Sequence, residues 1–253
     1  MSHPSGKTRG AAYMTAVVLL RPWLMAFTRR DWRGMENLDA SVRSDGTQQG
    51  IVVAANHISY FDPLQCAHYL YDNGRLPRFL GKHEVFEIPV IGSIITGAGQ
   101  IPVYRETQDA ANAIRAAVEG VNKGECVVIY PEGTISRDPE LWPMTGKTGA
   151  ARIALMTGAP LIPLAQWGAQ EVVRPYAKEL RLFPPKTLKV LAGPPVYLDD
   201  LRHRPIDAQV LDVATDRLMA AITAQLEVLR DAKAPVERYD LKAHQAPDQQ
   251  GEE

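Results

Sequence analysis

Short apolar runs punctuate the middle of this 253-residue chain, and stretches with helical spacing lie between most of them. The runs are Ile51–Ala55, Arg78–Gly81, Ile101–Tyr104, Cys126–Tyr130, Leu161–Gln166 and Thr187–Ala192. The helical patterns are Pro63–Tyr71, Pro89–Ala98, Gln108–Asn122 and Lys147–Thr157. Brief continuous apolar runs suit strands buried on both faces. Strands that alternate with helices in this way predict an α/β fold with a largely parallel central sheet flanked by helices. A long C-terminal helix is expected within Asp207–Lys233, where Val210, Leu211, Ala214, Leu218, Ile222, Leu226 and Leu229 share one face.

Composition narrows the function classes. The formal net charge is −1, which gives no global case for nucleic acid as a partner. The two cysteines, Cys66 and Cys126, form no C-x-x-C and no disulfide framework. The first thirty-three residues depart from neutrality: Lys7, Arg9, Arg21, Arg29, Arg30 and Arg33 face only Asp31. Between these charges lie the apolar stretches Ala11–Leu20 and Pro22–Phe27, separated by Arg21. A bilayer span needs about 20 clean apolar residues, so this segment suits the membrane interface better than a crossing. An ordinary amphipathic helix packed on the domain is the other reading. The expected organisation is a membrane-associating helical segment at 1–30, a catalytic domain at 31–233 and a polar, disordered tail at 234–253.

The first chemical motif is Asn56-His57-Ile58-Ser59-Tyr60-Phe61-Asp62-Pro63, directly after the run Ile51–Ala55. A histidine leaving the end of a buried strand can take a proton, and the aspartate five residues on can fix its tautomer. With no serine or cysteine nucleophile paired to it, the attacking hydroxyl is expected to come from a substrate. Asp62 and Pro63 also read as a helix start, with His57 bonded to a backbone carbonyl.

Three further strand ends carry polar groups or prolines. Gly99–Arg105 leaves Arg105 at the C-terminal end of its strand, where ligands bind in open α/β sheets. Its planar fork suits a phosphate, and a surface ion pair with Glu106 or Asp109 is the plainer alternative. Val127–Thr134 ends in Pro131-Glu132-Gly133-Thr134, a turn with a carboxylate, a hydroxyl and a glycine that lets a ligand approach. Glu132 could meet an acceptor hydroxyl, orient a basic side chain, or merely cap the next helix. Pro160–Leu164 forms a proline-containing strand and one wall of the site.

Taken in order, these blocks resemble the glycerolipid acyltransferase family, whose best-known members are the 1-acylglycerol-3-phosphate O-acyltransferases. The resemblance runs from about Trp32 to Leu198. Asn56, His57 and Asp62 match the family's Asn-His-x4-Asp motif, and Arg105 matches the arginine that ends its second motif. Pro131-Glu132-Gly133-Thr134 matches the third, which is usually followed by arginine; here Ile135 stands in that place. In the family that arginine helps to hold the acceptor's phosphate, so Arg137, Lys147 or Lys82 would have to supply the charge.

The resemblance implies that His57, backed by Asp62, acts as general base on an acceptor hydroxyl. Arg105, Lys82, Lys147, Glu132, Gly133 and Thr134 would bind substrate. Acyl-CoA or acyl carrier protein would be the donor and a lysophospholipid the acceptor, at the cytoplasmic face of a membrane, with no bound metal or other cofactor. A different acceptor (glycerol 3-phosphate, another lysolipid or a glycolipid) keeps the same chemistry. A non-catalytic lipid-binding protein would not need the His57–Asp62 pair. A metal-dependent hydrolase is disfavoured because no H-E-x-x-H occurs, and an α/β-hydrolase because no G-x-S-x-G occurs. Gly146-Lys147-Thr148 is not a P-loop, because Leu141 occupies the position of its first glycine.

Overall fold

The structure is a computed structural model that describes residues 11–39, 48–89, 91–103 and 107–244. The chain begins with α1 (Ala11–Phe27), which runs directly into β1 (Thr28–Arg33), followed by α2 (Glu36–Asp39). Next come β2 (Ile51–Ala55), α3 (Asp62–Asp72), β3 (Pro77–Lys82), α4 (His83–Phe86), α5 (Ile91–Gly97) and β4 (Ile101–Val103). The second half contains α6 (Thr107–Asn122), β5 (Cys126–Ile129), α7 (Gly149–Thr157), β6 (Leu161–Trp167), α8 (Ala169–Val172) and β7 (Lys186–Ala192). It closes with α9 (Asp199–Arg202), α10 (Ala208–Arg230) and α11 (Leu241–His244).

The strands form one sheet in the order β1-β7-β6-β2-β5-β3-β4. Only β6 and β7 pair antiparallel; every other neighbouring pair is parallel. The strand period explains why β2 is buried at every position. Val52 and Ala54 face α6, α7 and α10, while Ile51, Val53 and Ala55 face Cys66, Tyr69 and Leu70 of α3. The apolar stripe of α10 is buried as its spacing predicts, and Asp207 caps the helix by accepting from the Val210 N–H at 2.8 Å.

The N-terminal region differs from the sequence expectation in one respect. Thr28–Arg33 has no apolar run, yet it pairs with β7 along its whole length, so the sheet begins ahead of the boundary at residue 30. Strand pairing overrides weak local preference here. As expected of a helical segment, α1 continues through Arg21 and Pro22, although Pro22 has no N–H for the Val18 carbonyl. No helix among the described residues is long and apolar enough to cross a membrane.

Residues 234–244, expected on composition to be tail, pack on the domain. The Ala234 N–H donates to Glu227, Arg238 pairs with Asp216, and the Tyr239 carbonyl accepts from the Thr145 N–H at 3.0 Å. The remainder of the expected tail, 245–253, lies outside the described residues, as does the start of the N-terminal segment, 1–10.

Candidate active site

β2, β5 and β3 are parallel neighbours, so their C-terminal ends share one edge of the sheet. The residue after β2 is Asn56, which is fully buried and locked to β6. Its side-chain oxygen accepts from the Gln166 N–H at 2.8 Å, and its amide donates to the Gln166 carbonyl at 3.1 Å. The Gln166 side chain returns a bond to the Asn56 carbonyl at 2.9 Å. This reciprocal pairing fixes where the chain leaves the sheet, and so where His57 stands.

The His57 ring places Nδ1 2.8 Å from Asp62 Oδ2. The same carboxylate oxygen accepts the Ile58 and Ser59 N–H groups at 2.5 and 2.8 Å. Asp62 is completely buried at the start of α3. Burial pushes its carboxyl above the ordinary range, while the bonds from His57, Ser59 and Ile58 pull it back. With the Nδ1 proton directed at Asp62, Nε2 carries the lone pair. The His57 side chain keeps 17% of its surface exposed, and Nε2 has no hydrogen-bond partner among the described residues.

A loop arches over this histidine. Glu132 accepts the His57 N–H through Oε1 at 2.9 Å and the Met144 N–H through Oε2 at 3.0 Å. Ser136 donates its N–H to the His57 carbonyl at 2.7 Å. Glu132 thus uses both oxygens to hold the chain, and burial pushes its carboxyl up to about 8 against the pull of those two N–H groups. At the apex, Gly133 adopts φ +72°, and its exposed backbone lies under the Lys147 side chain. A Cβ on Gly133 would stand 2.7 Å from Lys147 Nζ, so a side chain there would displace the ammonium. The Lys147 N–H is tied to the Pro131 carbonyl at 2.8 Å. Thr134 is half-exposed, and neither its N–H nor its hydroxyl has a partner among the described residues.

The structure therefore gathers His57, Asp62, Glu132, Gly133, Thr134 and Lys147 into one corner. Lys82 lies exposed at the end of β3, two strands from β2. Arg105 lies outside the described residues. Ile135, at the place of the usual arginine, is 2% exposed, and its carbonyl accepts from the Tyr176 hydroxyl at 2.6 Å. Arg137 is exposed and lays its guanidinium over the Tyr176 ring, 4.3 Å from the centroid. Among the described residues, no three His, Cys, Asp or Glu side chains come together in a way that could hold a metal ion.

Sequence reasoning passed over Gln166 and Tyr130. Nothing local marks Gln166, whose partner lies 110 residues away in sequence. Tyr130 stacks on His57 with ring centroids 4.4 Å apart, and an aromatic residue directly after an apolar strand was the available signal.

Comparison with known proteins shows the family and the fold. The sequence profile of the family described as Acyltransferase matches residues 29–167. A chloroplastic 1-acyl-sn-glycerol-3-phosphate acyltransferase of Brassica napus is 32% identical over 148 residues, which is 58% of this chain and 40% of that protein. The 1-acyl-sn-glycerol-3-phosphate acyltransferase of Bacillus subtilis (strain 168) is 32% identical over 159 residues, 62% of this chain and 71% of the relative. The chain thus spans less than half the length of the plant protein and about seven-tenths of the bacterial one. The crystal structure of a 1-acyl-sn-glycerophosphate acyltransferase from Thermotoga maritima has the same fold, with a TM-score of 0.61 and 22% identity, over 85% of this chain and 78% of that one.

Proposed function

The chain belongs to the acyltransferase family, and from that premise we propose that it moves a fatty acyl group from acyl-CoA to the free hydroxyl of 1-acylglycerol 3-phosphate, giving phosphatidic acid. The names of its relatives support the acceptor. The observation that carries the chemistry is the His57 ring, bound through Nδ1 to a buried carboxylate and without a partner at Nε2 among the described residues.

In this reading, Nε2 takes the proton of the acceptor hydroxyl as its oxygen attacks the thioester carbonyl. Asp62 holds the tautomer and stabilises the imidazolium. The carbon–sulfur bond then breaks, and His57 returns the proton to the departing thiolate. A thioester is already activated, so no acyl-enzyme is needed. The Thr134 N–H, without a partner among the described residues, is available to the oxyanion, Lys147 is available to the acceptor's phosphate, and the family resemblance gives Arg105 the same part. The parts of Glu132 and Asn56 are to hold the backbone around His57.

Both lipids start in a bilayer, and the surface offers a way to reach it. Val18, Leu19 and Met25 of α1 are 63, 66 and 42% exposed, and α1 packs against α5, where Ile94 is also exposed. This apolar face would lie in the interface of the cytoplasmic leaflet, with the protein peripheral or monotopic.

The buried Ile135 favours a second reading, in which the same chemistry acts on glycerol 3-phosphate, another lysolipid or a glycolipid hydroxyl. Product analysis with labelled palmitoyl- and oleoyl-CoA, and with acyl carrier protein as alternative donor, against a panel of these acceptors tests both. Phosphatidic acid as the fastest product supports the first reading. Faster use of glycerol 3-phosphate or a glycolipid replaces it with the second.

A further inference from the structure

Three aromatic rings stand in a row along the catalytic edge of the sheet. His57 follows β2, Tyr130 follows β5 and Phe79 lies in β3, so the rings come from three adjacent strands. His57 stacks on Tyr130 with an interplanar angle of 23° and centroids 4.4 Å apart. Tyr130 in turn stacks on Phe79 at 15° and 6.3 Å. Phe79 is itself pinned, because its N–H donates to Gln100 Oε1 at 2.6 Å.

We propose that Tyr130, backed by Phe79, is the positioning residue that fixes the plane of the His57 ring for proton transfer. The inference rests on His57 being the base of the proposed reaction. A hydrogen bond at Nδ1 fixes one corner of an imidazole but leaves the ring free to swing about that corner. The second side-chain torsion of histidine joins tetrahedral to planar carbon, and such torsions have broad wells. Contact with a flat face on one side narrows that freedom, and stacked aromatic pairs are mutually attractive. The direction of Nε2, joined to Nδ1 through Cε1, follows from the ring plane, and proton transfer depends steeply on that direction. Asp62 therefore sets where the ring is anchored, and Tyr130 sets how it is turned. The contact is ring face to ring face, so the phenyl group and not the hydroxyl carries the effect.

The test compares Tyr130→Phe, Tyr130→Leu and Phe79→Leu in the full chain, each checked by thermal melting. Tyr130→Phe should keep kcat within about twofold. Tyr130→Leu should lower kcat by roughly tenfold with KM nearly unchanged, since the ring turns the base and does not bind substrate. Phe79→Leu should fall between them, and it serves in place of Tyr130→Leu if that variant fails to fold. Without any substrate, the NMR signals of the His57 ring protons should lose their ring-current shielding in Tyr130→Leu and keep it in Tyr130→Phe. Wild-type kcat in folded Tyr130→Leu, or a loss in Tyr130→Phe as large as in Tyr130→Leu, overturns the proposal. If His57→Ala retains full activity, the reading of His57 as base fails, while the NMR comparison still reports whether Tyr130 holds the ring.

Discussion

Around His57 the chain directs its polar groups at itself, whereas α1 turns apolar side chains towards solvent. In that corner, Asn56, Asp62, Glu132 and Gln166 are almost wholly buried; Asn56, Glu132 and Gln166 hold backbone groups from other segments, and Asp62 holds those of Ile58 and Ser59 just before it. α1 is seated by less. Leu24 packs beside Phe61 and Leu188, Trp23 approaches the Phe61 ring at 6.3 Å, and Arg21 bonds Asp72 at the far end of α3. Phe61 immediately precedes Asp62, so the apolar helix is fastened next to the segment that carries His57 and Asp62. The contrast separates two requirements. Proton transfer needs a preorganised ring, and approach to a lipid needs an apolar face with few internal commitments.

The contrast can be attacked first at Asp62. Asp62→Asn should lower kcat about a hundredfold, because an amide cannot stabilise the imidazolium and holds the tautomer poorly. A rate within a few-fold of wild type, in protein that melts normally, would break the claim that the corner is catalytic.

Glu132→Gln comes next. The substitution sets an amide NH2 against a backbone N–H and should cost about 1–3 kcal/mol in urea unfolding. The pH dependence has a definite sign. Burial raises the Glu132 carboxyl from 4.5 to about 8 in the folded state, so the unfolded chain releases that proton first. The associated stability is complete below pH 4.5 and is lost as pH rises to about 8. Wild-type stability should therefore fall over that window more steeply than the variant's, and equal slopes would refute the assignment.

For α1, replacing both Val18 and Leu19 by serine should weaken binding to anionic vesicles roughly tenfold, through lost apolar burial. The melting temperature should hardly move, because both side chains are exposed. Unchanged vesicle sedimentation would remove α1 from the membrane account. The smallest effect belongs to Arg21→Ala. Its bond to Asp72 measures 2.8 Å, but the arginine side chain is 40% exposed, so the loss should stay below about 1 kcal/mol and shrink in salt. A larger, salt-independent loss would show α1 to be as firmly built in as the corner itself.

Much of the fold was legible because β2 and β5 are apolar throughout and β6 is apolar but for Gln166, and only a sheet covered on both faces buries such runs. β1 was not legible, since Thr-Arg-Arg-Asp-Trp-Arg becomes a strand only through its pairing with β7. The basic excess of the N-terminal segment also read differently once folded. Arg33 pairs with Asp31, while Arg21 and Arg30 both reach Asp72, an acid that lies outside the segment. In the site, spacing brought out His57 and Asp62 because their contact is local. The same spacing said nothing of Glu132's hold on His57, 75 residues away, or of the ring stack that joins three strands. Contacts of that kind follow from strand order, which a single sequence does not display.

The most direct measurement is the rate at which His57→Ala transfers labelled acyl groups from acyl-CoA to 1-acylglycerol 3-phosphate in mixed micelles, set against the wild-type rate. A folded variant should be at least about a hundredfold slower, because the Nε2 base is gone while the arch at Glu132 still binds the residue 57 N–H. Turnover at the wild-type rate in the same variant would contradict the account and send the search for the base elsewhere along the sheet edge.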